Sequence, residues 1–153
     1  MRVNLPVTDR EEVVREGERL ISTTNLKGVI QSANDAFVRV SGFSEDELRG
    51  KAHNIVRHPD MPEAVYQNFW DTLKAGKPWM GVVKNRCKNG DYYWVSAYVA
   101  PVFEDGKQVG YQSVRTRATE AQKRRAARVY ARMRAGKAPA GVWARLSIRQ
   151  RTL

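Results

Sequence analysis

Hydrophobic positions in this chain keep two rhythms, and the places where one gives way to the other mark out the elements. Leu20–Thr24 and Val29–Ala33 read as short strands, with Asn25-Leu-Lys-Gly28 as the turn between them. Phe37, Val38 and Val40 follow Asn34 in a short helix that Gly42 closes as a left-handed cap. Ser44-Glu-Asp-Glu47 has the reciprocal capping form that starts a second helix, with Leu48 inward and Gly50 as its end. Asp60-Met-Pro-Glu63 starts a third, in which Val65, Phe69 and Leu73 recur at every fourth residue before Gly76 stops the run. Three strands come next. Trp79–Arg86 leads to Asn89-Gly90, a dipeptide that tolerates the positive φ angles of a tight hairpin. Asp91–Phe103 returns, and Asp105-Gly106 turns it into Val109–Thr116.

Strands joined by such short turns must be antiparallel neighbours. The order strand, strand, three short helices, strand, strand, strand therefore predicts an α+β domain: a five-stranded antiparallel sheet with short helices gathered on one face. A ligand cavity belongs between that face and the helices. Flanking helices are predicted at both ends. Thr8-Asp-Arg-Glu11 has the capping form for a short N-terminal helix ending near Gly17, and Thr119-Glu-Ala-Gln122 opens a helix to about Ala135. The chain thus divides into a cap segment (1–19), a central domain (20–118) and a C-terminal helix with a basic tail (119–153).

Composition narrows the setting. Hydrophobic residues make up 42% of 153, enough to bury a core. Cys87 is the one cysteine, so no internal disulfide or thiolate cluster can form, and a reducing cytoplasm is expected. No apolar run of eighteen residues exists and the N-terminus lacks a secretion signal's apolar core. The net charge of +11 is unevenly placed: residues 1–120 carry 17 Lys/Arg against 16 Asp/Glu, whereas residues 121–153 carry 10 Lys/Arg and no acid. The central domain is nearly neutral, and its composition gives no reason to expect nucleic acid as a partner.

Several stretches resemble the N-terminal PAS domain of bacterial aerotaxis receptors. They are Ser22-Thr-Thr-Asn-Leu26, Ala33-Asn-Asp-Ala-Phe37, Val40-Ser-Gly-Phe43, His53-Asn-Ile-Val-Arg-His-Pro-Asp-Met-Pro62, Lys77-Pro-Trp-Met-Gly81, Lys84-Asn-Arg86, Lys88-Asn-Gly-Asp-Tyr-Tyr-Trp-Val95 and Arg115-Thr-Arg-Ala-Thr119. They span roughly residues 20–120 in unbroken order, and the run from His53 to Pro62 is the most specific. The resemblance implies the PAS fold, non-covalent FAD, a cytoplasmic position, and transfer of redox state to a membrane-tethered, HAMP-like signalling module of the same receptor.

The resemblance also points to site residues. Asn85 sits where the flavin-binding LOV branch of the PAS fold has an asparagine on the flavin's polar ring edge, and an amide can both donate and accept there. Val95 stands where LOV domains hold a second asparagine, and His53 where they hold the reactive cysteine. A cysteine–flavin adduct is therefore not expected, which leaves electron transfer as the input. Arg57 or His58 could pair with a pyrophosphate or a reduced ring. Asp60 reads as a helix cap that also supports this loop. Trp79 could pack against the ring system or serve the core, and Asn34 could touch the ligand or cap its helix. Trp70, Tyr92, Tyr93 and Trp94 are assigned to packing. The candidate cofactor residues are thus Asn34, His53, Arg57, His58, Asp60, Trp79 and Asn85.

Two other readings of the same fold stay open: a haem or small-ligand sensor, with His58 as the axial candidate, and a ligand-free module that forms a homodimer. No nucleophile–base arrangement, phosphate-cradling loop or metal-ligand spacing suggests an enzyme. The basic tail reads as a solvated amphipathic segment or as a juxtamembrane element attracted to anionic lipid. It lacks a recognisable DNA-reading motif.

Overall fold

The computed structural model describes residues 2–136. Five strands, β1 (Leu20–Asn25), β2 (Ile30–Ala33), β3 (Trp79–Arg86), β4 (Tyr92–Glu104) and β5 (Lys107–Arg117), form one antiparallel sheet in the order β2-β1-β5-β4-β3. Helices α1 (Asp35–Ser41), α2 (Glu45–Leu48) and α3 (Glu63–Lys74) lie between β2 and β3, and α4 (Glu120–Arg134) follows β5. Asn34 caps α1 by accepting from Phe37 N, and Gly42 ends it at φ 76°. Ser44/Glu47 and Thr119/Gln122 form reciprocal boxes at the starts of α2 and α4. These local signals place the elements where the sequence predicts them.

Three expectations fail, each for a physical reason. The N-terminal helix does not form, because Thr8 Oγ1 donates to Asp91 Oδ1 at 2.6 Å instead of capping a helix. The segment runs extended beside the start of β4, with Tyr92 N donating to Arg10 O at 3.0 Å and Glu12 N to Tyr92 O at 2.7 Å. It fills an open edge: β5 ends at Arg117, opposite Val95, so the first residues of β4 would otherwise lack a partner on that side. Asp60, second, is not the cap of α3; Pro62 holds that position with no side-chain bond. Third, His53–Val56 forms a single 3-10 turn, which the sequence pattern does not mark.

The core has two parts. Leu20, Ile30, Phe37, Val40 and Leu48 seal α1 and α2 onto β1 and β2. Met61, Val65, Leu73 and Trp79 pack α3 over β3, and the same cluster continues around the edge to Val82, Trp94, Ala126 and Tyr130. Val82 and Trp94 alternate with inward-facing neighbours, so α4 covers the outer face there. Tyr130 Oη donates to Val82 O at 2.6 Å and fixes the helix on the strand. The sheet therefore carries helices on the inner face and one helix, α4, on the outer face.

Candidate cofactor site

Alternation points Trp79, Val83 and Asn85 of β3, Ala97 and Val99 of β4, and Tyr111, Ser113 and Arg115 of β5 toward the helices. Val56, Arg57, Met61, Val65, Tyr66, Phe69 and Trp70 form the opposite wall. They stand away from the sheet and leave a hollow of about 340 Å³. Small-molecule sites usually measure roughly 300–1,000 Å³. A second, more open hollow of about 440 Å³ adjoins it and shares Asn54, Arg57, Tyr66 and Trp70. Gly81 makes room for the roof: a methyl there would collide with the Trp79 indole, whose Nε1 donates to Asn68 Oδ1 at 2.9 Å.

One end of the hollow is cationic. Arg115 is 2% exposed, and its guanidinium donates to Leu20 O (3.1 Å), Ser22 Oγ (2.8 Å) and His53 Nε2 (2.6 Å) while lying 4.6 Å from the Phe37 ring centre. Because a guanidinium only donates, Nε2 of His53 must accept, which puts that ring's proton on Nδ1. Burial, and then the charge of Arg115, push the His53 pKa down to about 3. The imidazole, stacked on Phe37 at 5.8 Å and 19°, is thus neutral at ordinary pH. Burial lowers Arg115 to about 10, which leaves it charged.

Arg57 is the second cation, 6% exposed. Nη1 donates to Arg2 O at 2.9 Å, Nη2 to Met61 O at 2.7 Å, and the Nε–H is buried without a partner. Among the described residues neither arginine forms an ion pair with a carboxylate. Both are hydrogen-bonded and lie against aromatic rings (Phe37 for Arg115, Tyr66 at 5.1 Å for Arg57), but a buried cation with no counter-charge is costly, so two facing one hollow mark it as fit for an anion. Asn85 is 4% exposed and pairs across the strands with Tyr93, whose buried hydroxyl faces Asn85 but closes no hydrogen bond of normal geometry. That corner has polar capacity to spare.

Of the residues expected at the site, His53, Arg57, Trp79 and Asn85 line the hollow together. Asn34, His58 and Asp60 do not. Asn34 Oδ1 accepts from Ile21 N and Phe37 N, and Nδ2 donates to Arg19 O, so its amide knits α1 to β1. His58 Nδ1 accepts from Asp60 N at 3.0 Å, and burial followed by the charge of Lys84 pushes its pKa down to about 4. Asp60 reaches Lys84 Nζ at 2.8 Å, and its carbonyl accepts from Arg134 of α4. The two support the loop from outside. Neither histidine offers a free ring nitrogen of the kind a haem iron needs inside the hollow. Cys87 also lies elsewhere, with Sγ 3.2 Å from Val40 O and its thiol pushed up to about 12, chiefly by burial.

Sequence reasoning missed Arg115 and Tyr66 and gave Trp70 to packing. The signal for Arg115 was strand parity: it shares its face with Tyr111 and Ser113. Tyr66 and Trp70 are neighbours at i, i+4 on α3, a second stripe beside Val65 and Phe69.

An antiparallel sheet of this order, roofed by short helices over a ligand-sized hollow, is the architecture of PAS sensor domains. A model of the PAS fold family matches residues 30–115, more than half of the chain, and the chain belongs to that family. Among individual proteins, it is 48% identical over 131 residues to the aerotaxis receptor of Escherichia coli (strain K12), covering 86% of this chain. The chain spans about a quarter (26%) of that receptor's length. The solved PAS domain of a protein from Colwellia psychrerythraea superposes with a TM-score of 0.60 at 21% identity, covering 67% of this chain and 87% of that one. A light-oxygen-voltage domain studied with a flavin analogue gives 0.61 at 19% identity, covering 78% and 87%. The chain is a PAS sensor domain closely related to the aerotaxis receptor.

Proposed function

We propose that this domain binds FAD non-covalently and reports the redox state of the flavin within an aerotaxis-type chemotaxis transducer, as a binding module and not an enzyme. One observation carries the reading: an apolar, aromatic-walled hollow is faced by two buried arginines that have no carboxylate of their own. The inner hollow suits a planar ring system and the adjoining one the rest of a dinucleotide, with Arg57 at the passage between them. When bound, FAD would supply reversible electron storage. Arg115 and Arg57 hold fixed positive charge against the ligand, His53 stays neutral and gives up no proton, and the Asn85 amide can present either its oxygen or its NH₂. Likeness to the Escherichia coli aerotaxis receptor supports the same reading.

Output would leave through α4, which is tied to the site side by Arg134 and to β3 by Tyr130. The partners expected beyond it are a HAMP-like module of a longer receptor, a second copy of the domain, and an anionic membrane surface met from the cytoplasm by the basic tail. Residues 137–153 of that tail lie outside the described residues. No helix among the described residues is long and apolar enough to cross a membrane. The test is to purify the chain, record its absorption spectrum, and identify any molecule released on denaturation. A flavin spectrum with FAD as the released species is expected. A Soret band, or an apoprotein that takes up no added FAD, would overturn the proposal.

A further inference from the structure

The N-terminal segment precedes the stretch that the family model matches, yet it is wired into the hollow's wall. Asn4 is 6% exposed, and its Nδ2 donates to the carbonyls of Asn54 (3.0 Å), Ile55 (3.3 Å) and Arg57 (2.9 Å). These carbonyls lie at the end of the 3-10 turn at His53–Val56, where Asn54 O also accepts from Arg57 N and the other two lack a donor within the turn. Asn4 Oδ1 accepts from Arg2 Nε at 2.6 Å, and the carbonyl of Arg2 accepts from Arg57 Nη1 at 2.9 Å. The strap therefore grips Arg57 twice, by its backbone and by its guanidinium.

That grip has a chemical consequence. With Nη1 held by Arg2, Nη2 by Met61 and the guanidinium 5.1 Å from the Tyr66 ring centre, the group cannot swing to pair its Nε–H, which stays buried and unpaired in the wall common to both hollows. A buried donor left unpaired is costly unless something else accepts from it. We infer that Asn4 is a positioning residue of the cofactor site: it sets Arg57 so that Nε meets a phosphate oxygen of the bound dinucleotide. The strap is thereby part of the ligand site. This rests on the FAD reading. The rest of the strap is anchored independently, Pro6 O accepting from Arg86 Nε at 2.8 Å and Thr8 N donating to Gly90 O at 3.0 Å, so changing Asn4 leaves those bonds in place.

The experiment uses the full chain stripped of ligand and compares the dissociation constants of FAD and riboflavin, which shares the ring and lacks the phosphates. Asn4→Ala should weaken FAD about tenfold and riboflavin less than about twofold, the size of one lost charge-assisted bond. In an Arg57→Ala background, Asn4→Ala should cost FAD binding less than about a further twofold. Equal losses for both ligands, no loss for either, or a full additive loss in that background would each overturn the inference while the FAD reading stood. Should Asn4→Ala not fold, Asn4→Ser, which keeps one donor, carries the same comparison. If both fail to fold, Asn4 is purely structural and the inference falls. Wild-type protein that binds neither flavin would instead remove the reading beneath it.

Discussion

The two arginines of the hollow make the same charge available in different ways. Arg115 sits near the end of β5, where pairing with Leu20 of β1 and Ala97 of β4 fixes its backbone and three hydrogen bonds fix its head. Arg57 sits after a 3-10 turn, its backbone bridged to Asn85 of β3, its head held by the N-terminal strap, and its buried Nε–H left without a partner. A strand-borne cation is pre-organised and acts as a constant field. A loop-borne cation with spare bonding capacity can grip a ligand and feel a change in it. The loop also touches α4 and the outer face of the sheet, since Asp60 reaches Lys84 of β3 and its carbonyl accepts from Arg134 of α4. One arginine is thus held by a strand ladder, and the other by a loop that also contacts α4 through Asp60.

Replacing the strand-borne cation should have the larger effect. Arg115→Met removes the fixed charge and is expected to weaken FAD by more than about a hundredfold, the order seen when one partner of a buried charge pair is lost. The apoprotein should still give a cooperative melt, because the substitution also removes an unpaired buried cation. Unchanged flavin affinity in a titration would erase the distinction. Arg57→Ala should cost FAD about tenfold and spare riboflavin, since this residue faces the passage to the outer hollow. Equal losses for the two ligands would put Arg57 at the ring instead.

A separate expectation concerns pH. His53 and His58 are held neutral, at about 3 and about 4, against an ordinary value of 6.5. Below pH 6.5 the unfolded chain takes up protons that the folded one refuses. Stability is therefore full above pH 6.5 and falls as the pH drops from there toward 4. Melting temperatures between pH 7.5 and 5 should show this decline, and His58→Gln should make it shallower. Identical slopes in the two proteins would show that His58 is not held neutral by its site.

The fold was legible because its signals are local. The pairs Asn89-Gly90 and Asp105-Gly106, with positive φ at Gly90, Asp105 and Gly106, state the hairpins, and the boxes at Ser44 and Thr119 state two helix starts. The strap was illegible for the complementary reason. Thr8-Asp-Arg-Glu11 has a capping pattern, but a distant strand edge offered its backbone and Thr8 better partners. Asp60 failed as a cap the same way, drawn off by Lys84, 24 residues along the chain. At the site, resemblance singled out His53, Arg57, Trp79 and Asn85, which the hollow brings together. Arg115 escaped because β5 inverts the usual pattern: Ser113 and Arg115 point inward and are buried, while Val114 points outward. Only a hollow that wants charge makes that inversion sensible, and a hollow is a tertiary fact.

The central claim is that two buried cations with no carboxylate partner face a bound flavin. Its most direct test is the midpoint potential of the bound FAD, measured against free FAD in the same buffer at neutral pH. Fixed positive charge favours the electron-rich form, so the bound potential should lie above that of free FAD and fall toward it in whatever holoprotein Arg115→Met still forms. A bound potential at or below that of free FAD, unmoved by the substitution, would contradict the account.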